Sequence, residues 1–443
     1  MALFSRRSLQ RILNQNAAFV SEEQAQAQVR ALNAANEQSL DFEWEVAILN
    51  AFSKLGTVRH EPDLGGPRRI DLWFARQNAS HPSFIADIAT VSEVGRKDAN
   101  PVDFIEEQLL TRVRKTNLEA NRFSISVDGD LEGEPGRQVM RLKLPSKHNI
   151  PALFGTEFLE FLEQCKAAPD LRHNYSKYNG TTALKIGYVP GQPFFSISCP
   201  SFETSYSATN NPIHNTLKRK SKQLKQIQNT NPKGIILCAA DTDLAEHQTS
   251  GGWLSADHII QSFLNASSSI SFVLVIFTQE DYRPGRGISG PYIKSKTYLS
   301  SSVAAPSLEQ WAIDCLNAVH AHLPAPINTS INALNHLDSH WRREGRSFFG
   351  SFSMKNNTIR ISARGLLSYL AGKVSQEDFL KAHQAGDGWV TVFDVMARQG
   401  RTIQSIRIEK NDDLDDDWAV FDFGPPDPAV TPLKAPKPPA TGS

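Results

Sequence analysis

Two aspartates placed inside what should be β-strands are the residues with which this chain could do chemistry. Residues 68–92 read RRIDLWFARQNASHPSFIADIATVS, two short apolar runs, each interrupted by one carboxylate, Asp71 and Asp87. Ile70, Leu72 and Phe74 alternate as one strand face, and residues 84–91 are rich in β formers, so the two runs predict neighbouring strands. Aspartate is depleted from strands and costly to bury unpaired. Two of them near one sheet edge imply either solvated strand ends or a cation held in common.

The elements that would position them lie on either side. Upstream, residues 42–56 (FEWEVAILNAFSKLG) have helical spacing, with Leu49, Phe52 and Leu55 on one side and Gly56 as the stop. Glu45 precedes Leu49 by four residues and shares that inward face. A connecting strand over 58–62 then leads to the strand with Asp71. Downstream, residues 211–228 (NPIHNTLKRKSKQLKQIQ) place Ile213, Leu217, Leu224 and Ile227 on one helical stripe, with Lys220 inside it. Lys218, Arg219, Lys222 and Lys225 point elsewhere, to solvent or to phosphate. Residues 234–240 (GIILCAA) read as a buried strand that ends at Asp241 and Asp243.

This order of elements resembles the core of the PD-(D/E)xK nuclease superfamily, the restriction-endonuclease-like fold. In that family a helix glutamate, a first aspartate and an acid on the next strand bind Mg²⁺, and a lysine follows two positions later. By the resemblance, Glu45 matches the helix glutamate, Asp71 the first aspartate and Asp87 the second acid. The position two beyond Asp87 is Ala89, followed by Thr90, so the motif lysine is missing there. Some branches of the family move the lysine onto a later helix, which makes Lys220 its substitute. The resemblance implies a metal-dependent endonuclease that hydrolyses DNA phosphodiester bonds, with Mg²⁺ or Mn²⁺ on Asp71, Asp87 and Glu45, and Lys220 orienting or deprotonating the water. Family habit adds a cytoplasmic setting, a role in defence against foreign DNA and a homodimer. The missing lysine keeps a second expectation open: a catalytically degenerate nuclease fold that binds nucleic acid, or a partner protein of a multi-component system.

Each residue also has an ordinary structural use. Asp71 could pair with Arg68 or Arg69, Asp87 could cap a strand end, and Glu45 would be a surface residue if its helix were rotated. Lys220 could run its stem along the stripe and reach solvent.

With 443 residues, 40% of them apolar, the chain can bury a large core in two or three domains. Its 47 basic and 47 acidic residues cancel, so affinity for nucleic acid has to come from a local patch. One candidate is the loop over 282–297 (YRPGRGISGPYIKSKT), where aromatics sit between Arg283, Arg286, Lys294 and Lys296; the plain alternative is a hairpin loop. The four cysteines show no CxxC spacing and read as buried thiols in a reducing compartment. No stretch of about 18 apolar residues occurs, so no membrane span is expected. The N-terminus lacks the continuous apolar core of a secretory signal, leaving a transit peptide as the targeting alternative. Leu3, Leu9, Ile12 and Leu13 instead form one helix face for a neighbour or a second subunit. His336 and His340 stand at i, i+4 without an accompanying carboxylate pattern and read as a polar helix face.

The fold class expected is α/β (α+β): a restriction-endonuclease-like mixed central sheet flanked by helices, with a large α/β insertion and a small C-terminal α+β appendix. The boundaries are an N-terminal helical arm over 1–40, a core over 41–300 with its insertion at 92–210, a helical connector over 301–344, a small domain over 345–424, and a Pro-rich tail over 425–443 that composition marks as disordered. The insertion should extend the sheet or form a substrate-reading lobe. The acidic turn NDDLDDD should be a solvated loop.

Overall fold

The computed structural model describes residues 3–34, 38–64, 69–92, 98–134, 137–192, 194–202, 207–227, 230–240, 254–280, 282–283, 287–288, 290–330, 333, 353–376, 379–380 and 391–431. Three helices lead into the core: α1 (Arg6–Asn16), α2 (Glu22–Asn33) and α3 (Gln38–Ser53). Ser5 caps α1 through the Ser8 amide, and Ser21 with Gln24 closes a capping box on α2. Strands β1 (Thr57–His60), β2 (Leu72–Ala75) and β3 (Phe84–Val91) follow as an antiparallel meander.

A lobe then intervenes. It holds α4 (Val102–Val113), β4 (Phe123–Val127), β5 (Gly129–Glu132), β6 (Val139–Leu142), α5 (Thr156–Ala167), β7 (His173–Asn179), β8 (Thr182–Tyr188) and β9 (Ser196–Ser198). Its four-stranded sheet runs β7-β8-β4-β9, and Phe123, Phe158, Leu184 and Tyr188 close a core of its own. Among the described residues, no strand of the insertion joins the central sheet.

The chain returns through α6 (Pro212–Lys225), β10 (Lys233–Ala239), α7 (Ala256–Ala266) and β11 (Phe272–Gln279), passes two short strands, β12 (Tyr282–Arg283) and β13 (Gly287–Ile288), and adds β14 (Tyr292–Leu299). The central sheet is mixed and six-stranded, ordered β1-β2-β3-β10-β11-β14, with β3, β10 and β11 parallel to one another. The parallel strands are covered on both faces and so read as continuous apolar runs. Alternation along β3 sends Phe84, Ala86 and Ile88 into one core with α1 and α3, and Ile85, Ala89 and Val91 into another with α6 and α7. Asp87 shares parity with the second set.

Beyond α8 (Gln310–Ala318), strands β15 (Ser353–Lys355), β16 (Thr358–Ser362), β17 (Arg401–Glu409) and β18 (Trp418–Pro426) form a second four-stranded sheet, with α9 (Ala363–Leu370) and α10 (Val392–Arg398). None of the helices among the described residues is long and apolar enough to cross a membrane.

Several local expectations are corrected. Ile70 does not share a face with Leu72 and Phe74: the chain bends at Asp71, and Ile70 is buried in the opposite core. The strand with Asp71 begins one residue later, at Leu72. Much of the loop over 282–297 is β14, paired along its length with β11. The acidic turn is a docking contact: Arg7 donates to Asp417 and to the Asn411 carbonyl, and Arg11 lies 3.6 Å from Asp413. Helix α1 packs on α3 of the same chain, where the buried Glu43 carboxylate accepts from the Leu3 and Phe4 amides at 2.9 and 3.0 Å. Asp241, Asp243, Arg286, His336, His340 and most of the 425–443 tail lie outside the described residues.

Gly234 opens β10 directly under an aromatic ring: a Cβ there would fall 2.0 Å from the Phe272 ring. Phe272 in turn meets Phe84 edge to face at 5.0 Å. Gly234→Ala should destabilise the core by about 2 kcal/mol or more, read as a lower denaturation midpoint in urea.

Candidate active site

The site begins where a ladder stops. Strands β2 and β3 pair Phe74 with Phe84, Trp73 with Ile85 and Leu72 with Ala86. The next pair would be Asp71 with Asp87. Instead the chain bends, and Asp71 Oδ2 accepts a hydrogen bond from the Ile88 amide at 2.7 Å, taking the place of the missing strand. The β2–β3 pairing ends there, and both carboxylates lie within 4 Å of one ammonium group from the covering helix.

Helix α6 supplies that ammonium group. Asn211 caps its start by accepting from the His214 amide, and Pro212 opens the first turn. At its other end, Lys233 Nζ donates to the carbonyls of Leu224 and Ile227 at 3.0 and 2.6 Å. Held at both ends, with Ile213, Leu217 and Leu224 in the core, α6 presents Lys220 to the strands. Lys220 Nζ lies 3.5 Å from Asp71 Oδ2 and 3.8 Å from Asp87 Oδ2. The three side chains are 13%, 20% and 4% exposed, so water screens the contacts little. Ala89, two beyond Asp87, packs into the same core as Leu217 and Leu224 of the helix that supplies the cation.

Burial pushes the Asp71 carboxyl up to about 7, with the charges of Asp87 and Glu45 adding to the rise; the Lys220 ammonium and the Ile88 amide oppose it. Glu45, on α3, accepts from His60 Nε2 on β1 and from Gln28 Nε2 on α2, both at 3.2 Å from its Oε1. For His60, burial lowers the proton affinity, but the hydrogen bond and charge of Glu45 outweigh it, and the pKa stands above its ordinary value.

One further carboxylate was not singled out by the sequence reading. Asp41 stands one turn before Glu45 on α3 and accepts a hydrogen bond from the Thr90 hydroxyl at the far end of β3. Its pKa is raised, by burial first, against the Thr90 hydrogen bond and the Arg219 charge. The signal available was the i, i+4 spacing of Asp41 and Glu45, hidden because the helical pattern read from sequence starts at residue 42.

The basic residues divide into two groups. Lys218, Arg219, Lys222 and Lys225 are exposed, and the first three line a surface groove on α6 with Asn215, Gln223 and Gln226. On β14, Lys294 packs over Tyr292, while Lys296 is engaged by Asp257. Arg283 lies in β12.

Among the described residues, no group of three or more His, Cys, Asp or Glu side chains already stands as a metal site. Asp71 and Asp87 share the Lys220 ammonium, and Glu45 accepts from His60 and Gln28 through its Oε1. The donor chemistry nonetheless fits a hard divalent ion. Asp71 and Asp87 are oxygen donors already sharing one cation, and the charges of Asp87 and Glu45 add to the rise that burial imposes on the Asp71 carboxyl.

The shift at Asp71 has a pH signature. Because its folded pKa lies above the unfolded value of about 4, its contribution to stability is complete below about pH 4 and is lost as pH rises to about 7. In the absence of metal, Asp71→Asn should therefore gain stability relative to wild type across that window and level off above it, as thermal melts at a series of pH values would show. No family model matches the chain, no curated protein matches it, and no solved structure matches it.

Proposed function

We propose that this chain is a metal-dependent endonuclease of the restriction-endonuclease-like kind that hydrolyses DNA phosphodiester bonds. The observation that carries the reading is the Lys220 ammonium set against both Asp71 and Asp87, although its helix lies more than a hundred residues downstream of them. The order of elements supports it: an acid-bearing helix, a meander carrying two aspartates, then a helix and a parallel strand. Asp71 and Asp87 would hold Mg²⁺ or Mn²⁺, with Glu45 as a third oxygen donor. Bound there, such an ion supplies Lewis acidity and lowers the pKa of a coordinated water. Lys220 would orient that water or place positive charge beside the phosphoryl oxygens, the part that Ala89 cannot play. The groove of Lys218, Arg219 and Lys222 would hold the phosphate backbone on the outer side of the same helix.

A second reading follows from Ala89. If Lys220 serves only to neutralise the two aspartates, the same fold is a platform that binds nucleic acid or a partner protein without cutting.

Cleavage of supercoiled and linear DNA with Mg²⁺ or Mn²⁺ separates the two. Asp71→Ala and Asp87→Ala should each lose at least about 100-fold in rate, and Lys220→Ala a similar amount. Wild-type protein that binds DNA and leaves it intact under every metal condition would sink the catalytic reading. Binding should also weaken with salt, and Lys218→Ala or Lys222→Ala should each reduce the slope of log affinity against log salt by about one.

A further inference from the structure

Helix α2 is a run rich in Glu, Gln and Ala, and two of its glutamines reach across to residues 45, 60 and 61 beside the site. Gln24 is used at both ends of its amide. Its Oε1 accepts from the Ser21 amide, and its Nε2 donates to the His60 carbonyl at 3.4 Å and to Glu61 Oε2 at 3.1 Å. One turn later, Gln28 Nε2 reaches Glu45 Oε1 at 3.2 Å, the oxygen that His60 Nε2 also meets at 3.2 Å. A single carboxylate oxygen thus faces two side-chain nitrogens, one from α2 and one from β1.

The arrangement carries a cost that stability alone does not explain. Gln28 is 2% exposed and the His60 side chain 4%. Among the described residues, Gln28 Oε1 and His60 Nδ1 are buried polar atoms without a hydrogen-bond partner. Each such atom costs about 1–3 kcal/mol, a cost that apolar side chains of similar shape would avoid.

We propose that Gln28 and His60 are positioning residues for Glu45: they commit its Oε1 and leave Oε2 as the oxygen it offers to the cleft of Asp71 and Asp87. Glu45 then enters the cleft through one oxygen at a fixed angle, where a free carboxylate would rotate and offer either or both. The donor role requires only a proton on His60 Nε2, which the imidazolium and one neutral tautomer both carry. What Glu45 does with the free oxygen rests on the nuclease reading; the clamp itself does not.

Two measurements test it. In ¹⁵N-labelled protein without metal, His60 should show a slowly exchanging Nε2 proton that is lost in Glu45→Ala. A His60 proton on Nδ1 alone, or no change in Glu45→Ala, overturns the clamp. Mn²⁺ calorimetry below the melting temperature of each variant supplies the second. Gln28→Ala and His60→Ala should each weaken binding about 10-fold, with no further loss when combined with Glu45→Ala, and His60→Gln should restore part of it. Losses that add to that of Glu45→Ala, or none at all, overturn the positioning role. Wild-type protein that binds no Mn²⁺ would count against the nuclease reading, and the His60 proton would then decide the clamp by itself.

Discussion

The structure depends on one early termination. Had β2 continued by one residue, Asp71 and Asp87 would have been a cross-strand pair of like charges on a buried ladder, an arrangement sheets do not tolerate. The bend at Asp71 resolves this by giving its carboxylate the Ile88 amide. The same bend sends Ile70 to the opposite core and leaves the Asp71 carboxylate 3.5 Å from the Lys220 ammonium. A cleft, a shifted carboxyl and a reason for α6 to pack where it does all follow from that exchange of a backbone acceptor for a side-chain one.

Lys220 reaches the two aspartates through packing and not through nearness in the sequence. A strand lysine at 89 would owe its place to the pleat of β3. Lys220 owes its place to a helix fixed at one end by Asn211 and at the other by Lys233. The outer face of that helix is free to carry Lys218, Arg219 and Lys222, so a single element serves the inside of the cleft and the solvent side together.

How much of this is legible in the sequence depends on which residues break a local rule. Asp71 and Asp87 are acids among β formers, and Lys220 is a cation inside an apolar stripe, so each announces itself within a few residues. Asp41, Gln28 and His60 do not, because an acid in a first helical turn, a glutamine in a polar helix and a histidine in a short strand are all unremarkable locally. Their meaning lies in partners 49, 17 and 15 residues away, contacts that periodicity cannot convey. The existence of helices and strands is likewise readable from apolar spacing, whereas β7 (HNYSKYN) alternates in burial about Tyr175 but is polar at most positions on both faces, so its sequence carries no apolar alternation. The acidic turn misleads for the same reason: nothing near it names Arg7, about 400 residues earlier.

The lobe between β3 and β10 bears on the order in which the chain can fold. The two strands are parallel neighbours in the central sheet, yet the whole lobe separates them along the chain. As an unfolded loop it would make their encounter slow, since closure entropy has to be met before the pairing rewards it. Having its own core, the lobe can collapse first and shrink that loop to a compact body. On the ribosome, the cleft would then form only once the lobe has emerged: its aspartates are synthesised before the lobe and its lysine after it.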